Sequence, residues 1–306
     1  MIKKTMLTML ALSIWNFSAS AQNLKGFDKS NMDTSVKPGT DFVQYSTGTW
    51  LKSHPLDNEH VTNGAFSDLY DQNQLQIQEL ILQFANTPQQ RGTLGYKIGT
   101  LYNLMMDSVR LNKEGFNPIK ANLEKIKAIK DRKEYQRVTA ELDRKGESTM
   151  MYAWGVGADQ RNAGNNIVAI SQAGLGLGTP EYYLNEDPQS KAVVGAYKTY
   201  MTKLFQLVGY DAETAAKKVE AVMEIENRIA KVSYDQVKRR DINANYHKLT
   251  YAELIEQYPG IDWPTVFWVT GFPVFNEVDL GQPEPIHEVE KILADTDLDN
   301  LKSYAE

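Results

Sequence analysis

The residues able to do metal or nucleophilic chemistry are few in this chain. It has four histidines, His54, His60, His247 and His287, and no cysteine. A thiolate metal site and a cysteine nucleophile are therefore excluded. The nearest approach to a zinc motif is His287-Glu288-Val289-Glu290-Lys291. An HExxH segment works because residues four apart on a helix put two imidazoles on one face, with the glutamate beside them to deprotonate bound water. Lys291 stands at the second ligand position, where a cation repels zinc, so the segment reads as a solvated helix face. His54 and His60 are separated by Pro55 and share no helical register, which suits a surface loop. Glu220 and Glu224 lie on one helix face and allow acid/base work, but Lys217 and Lys218 beside them favour a solvated pair. No GxSxG elbow accompanies the serines.

Gly174-Leu175-Gly176-Leu177-Gly178-Thr179-Pro180 invites a phosphate reading, because bare backbone amides can approach an anion. The third glycine of GxGxxG would fall on Thr179, and no Gly-Lys-Ser/Thr follows. The favoured reading is a close-packed turn holding Leu175 and Leu177 in a core.

The elements that must position these residues are mostly helices. Asp41 to Trp50 reads as a short helix, and a longer one starts at Ala65 with Phe66, Leu69, Tyr70, Ile77, Leu80, Ile81 and Phe84 in one apolar stripe. Ile98 to Val109 repeats the pattern. Asn117-Pro118 supplies a cap and a first-turn proline, and Asp131 with Glu134 a capping box. Met150 to Ser171 suggests a β-hairpin joined through a polar linker at Ala158 to Asn165. Two long helices follow, carrying Val194 to Val208 and, from about Asp211, Val219 to Ala230. Thr250 with Glu253 opens another helix, closed by Pro259-Gly260. Trp263 to Phe275 is aromatic and broken by proline, Phe275 to Leu280 suits a strand, Pro285 opens a helix and Leu298 the last one. That last element reaches Glu306 without a stop signal and reads as interrupted.

With 306 residues, 42% of them hydrophobic, the chain can bury one large core or two ordinary ones and is not disordered overall. Its 33 basic and 39 acidic residues give a net charge of −6 with no basic block, which argues against nucleic-acid binding. Lys3 and Lys4, an apolar run from Met6 to Trp15, and Ala19-Ser20-Ala21 before Gln22 form a secretory signal cleaved between Ala21 and Gln22. The run is too short to span a bilayer, and no second run of spanning length follows. The expected location is the periplasm or the exterior of a bacterial cell, with no membrane span after signal cleavage and no nucleic-acid partner.

Several blocks, in order, resemble the N-terminal part of the neprilysin and endothelin-converting-enzyme family of zinc metallopeptidases. Asp28 to Trp50, with Pro38-Gly39-Thr40-Asp41-Phe42, resembles the family's opening block, and Gly64 with Phe66 its next. Ser171 to Leu177, including Gly174, Leu175, Gly176 and Leu177, then Tyr182-Tyr183-Leu184, is similar to the family's Gly-Leu-Gly-Leu-Pro and Tyr-Tyr signature. Arg240-Asp241, Tyr246, Thr250 to Leu254 and Asp262-Trp263 extend the likeness across nearly all of the mature chain.

The resemblance implies a mainly α fold: a multi-helical lobe with one small β-hairpin insertion, incomplete at its C-terminal side. It implies a signal peptide at 1–21, an N-terminal strap at 22–62 and a helical cap lobe at 63–306. Family members place HExxH, a third zinc ligand and a substrate-binding Asn-Ala pair in a C-terminal catalytic lobe, whose counterpart is missing from this sequence. Zinc is thus a cofactor of the complete enzyme and none is bound by this chain. Its expected partners are oligopeptide substrates and the missing lobe; alone it is expected to be inactive, and an unfinished lobe is expected to expose apolar faces that promote association. Two departures bear on specificity: Thr62 and Tyr70 stand where mammalian members carry arginines, the first of which contacts the peptide carboxylate, so an endopeptidase is favoured. Thr47 replaces a family cysteine, and of the following glycine pair only Gly48 is kept, Thr49 standing for the other. The alternative is a standalone, non-catalytic periplasmic helical binding or scaffold protein; an enzyme of another class, its site unseen, is the weakest reading.

Overall fold

A computed structural model of the chain describes residues 28–56, 62–147, 149–272 and 275–306. The signal segment with its Ala21/Gln22 junction, the start of the strap and His60 lie outside the described residues. The described residues form two compact units, the first reaching to Ser108 and the second running from Val109 to Glu306.

In the first unit, Asp41 caps helix α1 (Phe42–Ser53) by accepting from the Gln44 amide at 2.8 Å. Asp33 ties the preceding turn to this helix. It accepts from Ser35, from Lys52 Nζ at 2.9 Å and from Gln44 Nε2 at 3.2 Å, which together hold its carboxyl well below the usual range. Helix α2 (Ala65–Asn86) meets α3 (Leu94–Met106), where Asn103 donates to the Ala85 carbonyl at 3.2 Å. The apolar stripe expected to bury α2 does not do so within the unit. No residue of α2 is buried and Phe66 is 90% exposed, because α3 covers only part of its length. Helix α3 also ends earlier than its periodicity suggests: Val109 belongs to α4 (Ser108–Glu114).

The second unit contains α5 (Asn117–Lys127) and α6 (Arg132–Asp143). Asn117 does not cap α5. It is already the first helical residue, after Phe116 with no side-chain cap, and only the early proline holds as expected. Asp131 does cap α6, accepting from Glu134 N at 2.8 Å, while Glu134 reaches back to the Lys130 amide and not to the cap's own. The hairpin strands β1 (Tyr152–Asp159) and β2 (Asn162–Gln172) are antiparallel, with Tyr152 opposite Gln172 and Val156 opposite Val168. They run through most of the supposed linker, leaving Gln160 and Arg161 as the turn.

Short α7 (Glu181–Leu184) and the long helices α8 (Pro188–Leu207) and α9 (Ala212–Val232) follow, the latter two capped by Asp187 and Asp211. After α10 (Gln236–Arg239) comes β3 (Lys248–Thr250), a strand the sequence pattern did not reveal. Thr250 and Glu253 form the expected reciprocal box at α11 (Tyr251–Gln257). The Pro-broken aromatic stretch contains a helix, α12 (Trp263–Thr270), because Pro264 sits in its first turn, where a missing N–H costs nothing. Strand β4 (Glu277–Leu280) then precedes α13 (Pro283–Asp295), which opens two residues before Pro285, and α14 (Leu298–Ala305).

The hairpin is thus half of a four-stranded sheet, ordered β1-β2-β4-β3, with β4 parallel to β2 and antiparallel to β3. The fold remains mainly α with a small β insertion. One core joins α6, the sheet, α9 and α11 to α14, centred on Trp263, Leu280, Ile286 and Leu301. A smaller one lies between α8 and α9 at Met201, Phe205, Val219 and Met223.

Candidate functional site

Helix α9 carries its apolar side chains at Val219, Val222, Met223, Ile229 and Ala230, three and four residues apart. Glu226 falls on the same stripe and is only 3% exposed. A carboxylate taken from water needs donors, and this one has three. Tyr197 Oη from α8 and the Gly176 amide each donate to Oε1 at 3.0 Å, and Tyr183 Oη from α7 donates to Oε2 at 2.9 Å. The Leu177 amide donates in turn to Tyr183 Oη at 3.0 Å. Burial pushes the Glu226 carboxyl above its ordinary range, and the bonds from Tyr183, Gly176 and Tyr197 oppose that shift. Burial and the Glu226 charge push both tyrosine hydroxyls upward, so they stay protonated donors.

The glycine loop is shaped by this cluster. Gly174 has φ +87°, a left-handed conformation, and its carbonyl accepts from Tyr304 Oη at 2.9 Å. A Cβ on Gly174 would lie 2.7 Å from that hydroxyl and 3.0 Å from Met151 Cα. A Cβ on Gly176 would run into the Tyr197 hydroxyl and lie 3.0 Å from Glu226 Oε1. The glycines thus admit a tyrosine and a carboxylate to the backbone, the Gly176 amide donating to Glu226 and the Leu177 amide to Tyr183. Leu175 packs against the main core, whereas Leu177 is only half-buried.

Beside the cluster lies a cavity of about 970 Å³ within the second unit. Ile119, Met150, Trp154, Met201, Leu204 and Phe205 supply much of its apolar wall, and Glu226 and Asp143 its acidic points. Burial pushes the Asp143 carboxyl up, and the neighbouring Trp154 indole opposes the shift without a hydrogen bond of good geometry.

Of the residues singled out from sequence, Gly174, Leu175, Gly176, Leu177 and Tyr183 come together here. Tyr182 is half-buried next in chain. Trp263 is fully buried in the main core, where its indole donates to the Tyr258 carbonyl at 3.0 Å. Arg240 is exposed at the end of α10, and Asp241 accepts from the amides of Asn243 and Ala244, each at 3.0 Å, to shape the following turn. Trp50, stacked on His54 at 4.5 Å, Gly64, capping α2, and Phe66 belong to the first unit. Sequence reasoning missed Glu226, Tyr197 and Tyr304; an acidic residue on the apolar stripe of α9 was the available signal. Glu220 is solvated as expected and pairs with Lys198 at 3.0 Å.

The described residues do not fit a zinc site. No group of three His, Cys, Asp or Glu side chains among them could hold a metal ion. His287 stacks on Tyr258 at 4.4 Å and pairs with Glu290 at 2.9 Å, while Lys291 pairs with Glu288 at 3.5 Å. No described helix is long and apolar enough to cross a membrane.

Residues 38–306 match the family model described as peptidase family M13. Endothelin-converting enzyme 1 from Bos taurus is 30% identical over 263 residues, covering 84% of this chain and 34% of that protein. The Homo sapiens enzyme is 31% identical over 267 residues, with 84% and 33% covered. The chain thus spans about a third of the length of these curated relatives. Among solved structures, the zinc metalloprotease Zmp1 of Mycobacterium tuberculosis in complex with inhibitor is 27% identical with a TM-score of 0.79, over 92% of this chain and 43% of that one. PepO from Lactobacillus, at 18% identity and a TM-score of 0.67, shares the fold.

Proposed function

The chain belongs to peptidase family M13, and from that premise we propose that it is the N-terminal part of an exported zinc metalloendopeptidase that hydrolyses oligopeptides. Residues 1–21 direct export to the periplasm or beyond, 22–62 form a strap, and 63–306 form the helical cap lobe that limits which substrates enter. The observation that supports this best is the agreement of fold with the Zmp1 structure over 92% of the chain but only 43% of that protein. The zinc, its ligands and the catalytic base belong to a catalytic lobe outside these residues. A zinc ion held by that lobe would supply Lewis-acid chemistry, and no group among the described residues would ligate it.

This chain's own residues contribute shape. Glu226, Tyr183 and Tyr197 pin the 174–178 loop against α8 and α9, and with it the wall of the cavity. Alone, the chain has no peptidase activity. The DNA downstream of Glu306 tests the reading: an in-frame continuation encoding HExxH is expected, and a stop codon followed by a terminator would overturn it.

A further inference from the structure

The cavity of the second unit is large, about 970 Å³, which is at the upper end of what small-ligand sites enclose. Among the described residues, the charged side chains on its wall are Asp143, Glu226 and Glu306, and no Lys, Arg or His lines it. Glu306 is already balanced by Lys218 Nζ at 2.8 Å and accepts from the Tyr210 hydroxyl, also at 2.8 Å. Glu226 accepts only from neutral donors, the Gly176 amide and two tyrosines, and its Oε2 takes a single hydrogen bond. Asp143 is half-buried, its neighbours being the indole of Trp154 and the phenol of Tyr152. The cavity therefore combines an apolar surface with two carboxylates that no cation of the wall balances. In such a partly desolvated place an opposite charge is worth more than at the surface.

We propose that this cavity binds a peptide segment with apolar side chains flanking one basic side chain, the cation seated against Asp143. The inference rests on the cap-lobe reading and adds to it a substrate preference, for basic and apolar oligopeptides, exerted away from the zinc centre. The apolar flanks lie on Met150, Met201, Leu204 and Phe205. The basic group adds a charge-assisted hydrogen bond, so its removal lowers affinity about ten- to hundredfold.

Isothermal titration of the 306-residue chain with acetyl-Phe-Leu-Arg-Phe-amide tests this against two analogues, one with citrulline and one with glutamate in place of arginine. The arginine peptide is expected to bind at least tenfold more tightly than the citrulline peptide, and the glutamate peptide not at all. Asp143→Asn is expected to abolish the arginine peptide's advantage over the citrulline peptide. Leu204→Lys, at a 43% exposed position of the wall, replaces an apolar contact with a cation and is expected to weaken arginine-peptide binding tenfold or more. Circular dichroism and thermal melting verify that both variants fold. Equal affinity for all three peptides, or no binding by a folded chain, overturns the proposal. So does a dimer by light scattering that loses affinity for the peptide as it forms, since a second copy would then fill the cavity. A polypeptide extended to the relatives' length that no longer binds the arginine peptide would mean that its own continuation fills the cavity, which is equally contrary. None of these results touches the cap-lobe reading, which the downstream sequence and a peptidase assay decide separately.

Discussion

Replacing Gly176 by alanine adds one methyl group at the most crowded point of the loop. The new Cβ would overlap the Tyr197 hydroxyl and lie 2.7 Å from its Cζ and 3.0 Å from Glu226 Oε1. Overpacking of this kind costs about 1–3 kcal/mol. Relief requires Tyr197 or the loop to retreat, which lengthens bonds from Tyr197 and Gly176 to a buried carboxylate, each worth about 1.5–3 kcal/mol. Partial loss of one such bond brings the expected cost to about 3 kcal/mol. Urea unfolding followed by circular dichroism measures it, as a lowered midpoint at unchanged slope. Gly155→Ala is the control: its Cβ meets nothing within 4 Å, and a change within about 0.5 kcal/mol is expected. Tyr197→Phe removes the atom the methyl strikes, so the double variant should cost about 1 kcal/mol less than the sum of the singles. Strict additivity, or a Gly176→Ala change no larger than that of Gly155→Ala, would refute the claim that close approach of Tyr197 and Glu226 dictates glycine here.

The same cluster carries a pH signature. Burial raises Glu226 above its ordinary 4.5, so the folded chain holds the proton more tightly than the unfolded one. This contribution is fully present below 4.5 and is lost as pH rises through the higher folded value. Glu226→Gln should remove that slope from a stability profile measured from pH 4 upward; an unchanged slope contradicts the assignment. Trp263→Ala, at a fully buried position stacked on Phe267, should cost about 3–5 kcal/mol in urea unfolding. Arg132 donates to the Leu293 and Thr296 carbonyls, both at 2.7 Å, at the end of α13. Arg132→Ala should cost about 1–2 kcal/mol, and lysine, which lacks the forked donor, should restore less than half.

Helix starts were readable because their caps are local. Asp41, Asp131, Asp211 and Thr250 each accept from a backbone amide within one turn, and neighbouring residues suffice to announce that. Local signals misled where tertiary context decides. Asn117 has the chemistry of a cap, yet the turn at Gly115 lets α5 begin at Asn117 itself. Pro264 reads as a breaker within an aromatic run, but after Asp262 it occupies a helical first turn. Strand β3 is three residues long and exists through pairing with β4, whose partner positions no local pattern records. At the site, the glycine loop and Tyr183 were legible as motifs. Their anchor carried no pair signal: Glu220 and Glu224 form the carboxylate pair, on the wet face of α9, while the informative residue is the lone Glu226 on its dry face.

The proposed function makes this chain the cap of a metallopeptidase whose zinc centre lies in another lobe. Hydrolysis of an internally quenched fluorogenic oligopeptide by the purified chain, with zinc present and with a chelator added, tests it most directly. The account predicts no cleavage above buffer in either condition. Cleavage by this chain alone that the chelator abolishes would contradict it.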